Sequence, residues 1–84
     1  MALITSPITL TEPEVAELDK KLSEMRHGIN NHLSLIIAAV ELLRIKPDSA
    51  ASMAATLNEQ PTKITNELRK FSIEFDRLLG INRE

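Results

Sequence analysis

From Val15 onward the apolar residues fall into two columns with heptad spacing. One column is Val15, Leu22, Ile29, Ile36 and Leu43, and the other is Leu18, Met25, His32 and Ala39. A seam held over this length predicts a long packed helix over about 12–45. After residue 32 the stripe widens, as Leu33, Leu35, Ile37, Val40 and Leu42 join it. A single partner helix leaves those extra positions uncovered. Residues 46–48 read as a turn, because Pro47 disfavours helical geometry at Lys46 and Asp48 or Ser49 can cap a second helix. That second helix is predicted over about 49–79. Its columns are Ala50, Leu57, Ile64, Phe71, Leu78 and Ala54, Pro61, Leu68, Phe75. The heptad phase is the same on both sides of Pro61, so this is one helix kinked near that proline.

The helix ends are marked in the sequence. Thr11 and Glu14 form a capping-box pattern, and Pro13 is tolerated in a first turn whose N–H groups lack intrahelical partners. Gly80 suits the closing cap. Residues 1–10 read as an extended arm, whose Leu3, Ile4, Ile8 and Leu10 can pack on a bundle end or a partner chain, and 81–84 as a frayed tail. The domain is therefore residues 11–80. A short connection makes the two helices antiparallel neighbours. Two hairpins placed together bury the wide stripe, so the expected fold is all-α: an antiparallel helical hairpin dimerising into a four-helix bundle.

Composition narrows the partners. The chain has 84 residues and no cysteine, so disulfides and thiolate metal sites are excluded, and self-association is the expected support for a small core. A net charge of −2 with mixed signs gives no footprint for nucleic acid. Two phenylalanines are the whole aromatic content, too little for a base-stacking surface. No run is read as approaching the roughly 18 to 20 apolar residues that span a bilayer, so no membrane partner is expected. Met1–Leu10 has no basic start and is broken by Pro7, unlike a signal peptide. A cytoplasmic location is the expectation.

With Ile29 and Ile36 at the central seam position, His27 falls on the side of the helix most remote from the seam. Asn31 lies one turn further along the same side and Glu24 one turn before. The face thus carries Glu24, His27 and Asn31 in a row. A lone exposed histidine is ordinarily just a solvated side chain, but asparagine is a poor helix former and needs a reason to sit mid-helix. Asn30 reads as a solvated flank. His32 sits in the seam, where a polar residue fixes register or partner choice. The Glu24-x-x-His27 spacing matches an element of di-iron bundles, whose ligands point inward, whereas these point outward. His27 and His32 stand about 140° apart around the helix, so they do not share a metal as an i,i+4 pair does. Glu17–Lys21, Lys20–Glu24 and Glu59–Lys63 are ordinary solvated pairs.

The stretch His27-Gly28-Ile29-Asn30-Asn31-His32-Leu33, continuing to Glu41-Leu42-Leu43, resembles the H-box of sensor histidine kinases. That box stands on the first helix of their dimerisation and histidine phosphotransfer domain. The resemblance covers residues 25–43 closely and the second helix only in architecture. It implies a dimeric four-helix bundle, with His27 as phosphoacceptor and Asn31 as the residue that positions water to hydrolyse the aspartyl phosphate of a receiver domain. Gly28 departs from the pattern, since the family carries an acidic residue there that accepts a hydrogen bond from the imidazole. Glu24 is the candidate substitute base. Gly28 either serves the close approach of another backbone or is tolerated drift.

The expected function is a histidine phosphotransfer and dimerisation module of two-component signalling. Its partners are a second copy of the chain, a response regulator receiver domain and a kinase catalytic domain. This chain binds no cofactor itself; Mg²⁺ and ATP belong to partner domains, and without a nucleotide lid the chain is not an autonomous kinase. It is read as an excised domain, a stand-alone phosphotransfer protein or a decoy. The alternatives are a helical interaction module that binds a kinase or receiver without phosphotransfer, and a plain structural dimerisation hairpin.

Overall fold

The computed structural model describes residues 7–81. Helix α1 spans Glu12–Ile45, a single 3-10 turn spans Pro47–Ser49, and helix α2 spans Ala50–Leu79. The arm residues Leu3 and Ile4 and the tail 82–84 lie outside the described residues. Ile8 is exposed and Leu10 half-buried.

The start of α1 is the expected capping box. The Glu14 backbone N–H donates to Thr11 Oγ1 at 3.3 Å, and the Thr11 N–H donates to Glu14 Oε1 at 2.8 Å. These bonds satisfy donors that a helix start otherwise leaves to water. They also hold the Glu14 carboxyl below its ordinary value, the Thr11 backbone bond contributing most and the Thr11 side chain next. At the other end of α1, Lys46 leaves the helix with its N–H on the Leu42 carbonyl at 2.7 Å. The expected cap at Asp48 or Ser49 is not formed. The Ser49 hydroxyl instead donates back to the Lys46 carbonyl at 2.7 Å, closing the 3-10 turn. α2 ends at Gly80, whose φ of 67° is the left-handed conformation that favours glycine.

α2 passes through Pro61 without a break. Leu57, Ile64, Phe71 and Leu78 are half-buried along the line facing α1, as their column predicts. The second predicted column is corrected at three of its four positions, Phe75 being half-buried as expected. Ala54, Pro61 and Leu68 are exposed; Met53, Gln60, Glu67 and Glu74 stand on the α1 side in their place. Starting from Leu57, positions three and four residues on both keep a heptad. In a two-helix contact only one of those rows faces the neighbour. Phe71 and Phe75 stack along α2 in a tilted arrangement, with ring centroids 5.8 Å apart.

The hairpin is long and thin, with principal extents of 57 × 28 × 13 Å. Its radius of gyration is 18.0 Å, against roughly 12 Å for a compact chain of this length. Among the described residues only Ala39 and Gln60 are fully buried. Leu33, Leu35, Ile37, Val40 and Leu42 all remain exposed, with Ile37 at 64%. By length and composition α1 is apolar enough to cross a membrane, with mean hydropathy 1.2 over an 18-residue window. That corrects the sequence expectation that no such run exists. The helix nevertheless carries Asn30, Asn31 and His32 within its apolar half, and His32 is engaged by α2.

Candidate functional site

The register of α1 decides which way its polar residues point. The half-buried residues Leu18, Leu22, Met25, Ile29, Ile36 and Leu43 face α2 or border it. His27, Asn31, Glu24 and Asn30 are all exposed. His27 and Asn31 are one turn apart on the same side, the spacing at which helical side chains are neighbours. Among the described residues, no hydrogen bond or ion pair occupies the His27 imidazole.

Glu24 is held elsewhere. Its Oε2 lies 3.7 Å from Lys21 Nζ, the Lys21 side chain being half-buried and that of Glu24 exposed. Lys21 therefore turns toward Glu24 and not toward the expected Glu17. Of the expected pairs, Glu59–Lys63 forms at 3.5 Å.

Across from Gly28 stands Glu67, a residue the helical pattern of α1 could not reveal. A β-carbon built on Gly28 would lie 2.7 Å from the Glu67 Cδ, and 2.9 and 3.0 Å from its carboxylate oxygens. Glycine at 28 is thus the space into which α2 inserts a carboxylate. The Glu67 side chain is 21% exposed, and its Oε1 takes a bond from Lys70 Nζ at 3.3 Å. Gly28 and Glu67 lie equally far in sequence from the Pro47–Asp48 turn. Antiparallel pairing alone brings them opposite each other, and that is the signal by which the sequence could have shown the contact.

Beside this contact an open groove of about 300 Å³ runs between the helices, walled by Lys21, Glu24 and Met25 of α1 and by Glu67, Lys70 and Glu74 of α2. Its charges are locally balanced. Glu74 pairs with Arg77 at 2.8 Å, and that bond holds Glu74 below its ordinary value and Arg77 above its own.

His32 does not join the outer face. Its Nδ1 lies 2.9 Å from Gln60 Oε1, while Gln60 Nε2 donates to the Thr56 carbonyl at 3.0 Å. That donation turns the amide oxygen toward His32. An amide oxygen only accepts, so His32 carries its proton on Nδ1. Among the described residues no group of three His, Asp or Glu side chains converges as a metal site.

No family model, curated protein or solved structure matches this chain. The functional reading therefore rests on the side chains themselves. They present an unoccupied imidazole and a carboxamide one turn apart on an exposed helix face. Both side chains are open to approach from solvent.

Proposed function

We propose that the chain is a histidine phosphotransfer and dimerisation module of two-component signalling. The observation that carries this reading is the placement of His27 and Asn31, exposed and one turn apart on the outer face of the first helix of a hairpin. A neutral imidazole near pH 7 keeps one unprotonated, nucleophilic nitrogen. That nitrogen attacks the phosphorus of an acyl phosphate on a receiver's aspartate. The N–P bond forms as the P–O bond breaks, and the carboxylate leaves with the electron pair. The reverse step returns the group to the receiver. In the hydrolytic direction the Asn31 carboxamide orients water toward the same acyl phosphate. Mg²⁺ and ATP belong to the receiver and to a kinase catalytic domain.

Dimerisation belongs to the same reading. The chain exposes 6326 Å², against roughly 5,000 Å² for a compact monomer of 9.4 kDa. The excess, on the order of 1,000 Å², is the share one partner contributes to a standard or larger interface. Leu33, Ile37 and Val40 supply its apolar centre, and a second hairpin laid on them completes a four-helix bundle in the cytoplasm.

A second reading, an interaction module that binds a receiver or kinase and transfers nothing, is favoured by the lack of a carboxylate at position 28 itself. One experiment separates the two. The protein is incubated with a phosphorylated receiver, or with a kinase catalytic domain and ATP. Acid-labile, base-stable phosphate that disappears in His27→Ala supports transfer. Receiver binding with no label from any donor supports the interaction module.

A further inference from the structure

We propose that α2 carries a hinge at Leu57–Pro61 that α1 holds shut. His32 anchors the segment before the proline, and the notch at Gly28 seats the segment after it. The hinge stands on the two helices alone and does not rest on the phosphotransfer reading.

The weak point is chemical. In an α-helix the N–H of residue 61 donates to the carbonyl of Leu57, and a proline has no N–H to give. Its ring also crowds that carbonyl, which is why an interior proline ordinarily kinks or breaks a helix. α2 nevertheless runs from Ala50 to Leu79 with Pro61 inside it. The next turn adds to the weakness. The Thr65 hydroxyl donates to the Pro61 carbonyl at 2.9 Å, a back-bond that competes with the helical ladder and favours bending.

Two contacts with α1 bracket the break. Gln60, the residue next to the proline, is the one fully buried polar side chain among the described residues. Its Oε1 accepts the His32 Nδ1–H at 2.9 Å, and its Nε2 donates to the Thr56 carbonyl at 3.0 Å. One amide thus ties the last turn before the proline to α1. Two turns further on, Glu67 fills the space that Gly28 leaves in α1. α1 runs unbroken past both contacts and splints α2 across the proline. The second contact is packing, whereas the first is a directional bond. Loss of the His32 bond therefore frees the segment on the turn side, Ala50–Gln60.

That segment has something to uncover. Antiparallel pairing sets it opposite the apolar half of α1, where Ala39 is buried and Ile36 and Leu43 are half-buried. Swinging about Leu57–Pro61 opens this line to solvent while the pairing beyond Glu67 stays closed. Such an opening is local and needs less free energy than unfolding the whole chain.

Native-state hydrogen exchange of the full chain, followed amide by amide, reads the hinge. Pro61→Ala gives the Leu57 carbonyl its donor and is expected to raise protection at Lys63, Ile64 and Thr65. His32→Leu is expected to lower protection at the same amides about three- to tenfold, the contribution of one hydrogen bond, and to change Leu68–Phe75 less. His32→Asn keeps an N–H donor close to the place of Nδ1 and is expected to recover most of the loss. With Pro61→Ala already present, His32→Leu is expected to affect Lys63–Thr65 no more than Leu68–Phe75. An even loss along α2 in His32→Leu overturns the proposal, as does the same local loss in the Pro61→Ala background. Protection unchanged by Pro61→Ala alone overturns it too, and that arm does not depend on the His32 variants folding.

Discussion

The Nδ1 of His32 on α1 donates to the Oε1 of Gln60 on α2 across 2.9 Å, and the Gln60 side chain is sealed between the helices at 1% exposure. Removing one member strands the other. Gln60→Leu is expected to cost about 1 kcal/mol in urea denaturation, the lower end of the cost of an unpaired donor, because His32 is half-buried. His32→Leu with Gln60→Leu replaces both groups by apolar ones and is expected to cost clearly less than the two single changes summed. A strictly additive pair would mean that the contact does not hold the helices in register.

The apolar stripe gives a prediction about assembly. Ile37 is 64% exposed in the single hairpin and central to the proposed dimer face. Ile37→Glu is expected to weaken self-association by about 2–3 kcal/mol, or ~30- to 150-fold in the dimer constant, the range for burying an isoleucine. Sedimentation equilibrium reads this directly. A wild-type chain that stays monomeric at high concentration would defeat the bundle.

The notch at residue 28 predicts a coupling. Gly→Ala inside a helix ordinarily stabilises by about 1 kcal/mol. Here the new methyl group meets Glu67, whose flexible end must swing away. Gly28→Ala is therefore expected to give much less than that gain alone, and the full gain when Glu67 is already Ala. Denaturation of the two singles and the double measures the difference.

Acid should loosen the ends of the helices first. Thr11 and Arg77 hold Glu14 and Glu74 below their ordinary values, so both carboxyls shed their protons more readily in the folded chain than in the unfolded one. Between those depressed values and the unfolded range near roughly 4.3, the unfolded chain binds more protons, and stability rises with pH. The contribution is complete above that range and is lost as pH falls through the folded values. Glu14→Gln should flatten the acid side of a plot of Tm against pH while leaving its neutral side parallel to the wild type.

The N-terminal cap can be tested on its own. Thr11→Ala removes the oxygen that receives the Glu14 N–H and is expected to cost about 0.5–2 kcal/mol. Hydrogen exchange should show the loss concentrated in the first turn of α1, with the amides near Ala39 little changed.

The bounds of α1 could be read from the chain because chemistry marks both: a reciprocal cap at Thr11 and Glu14, and a proline at 47. The outward placement of His27 and Asn31 could be read too, since it follows from where Ile29 and Ile36 must go. The α2 seam was half legible. Its apolar line Leu57, Ile64, Phe71 and Leu78 faces α1 as expected. Its companion line contains Gln60, Glu67 and Glu74, and a search for apolar columns passes over such residues and selects Ala54, Pro61 and Leu68. Glu67 escaped for a related reason. It meets Gly28 through the pairing of two helices, and a motif read along one helix has no access to its neighbour.

Gly28 also acts as an index mark for the angular setting of α1. Successive residues turn by about 100° around a helix. A slip of one position would bring the His27 or Ile29 side chain against Glu67 in place of empty space. The His32–Gln60 bond, one turn along, agrees with the same setting. Together they lock the azimuth of the helix, and with it the compass bearing of the His27 ring.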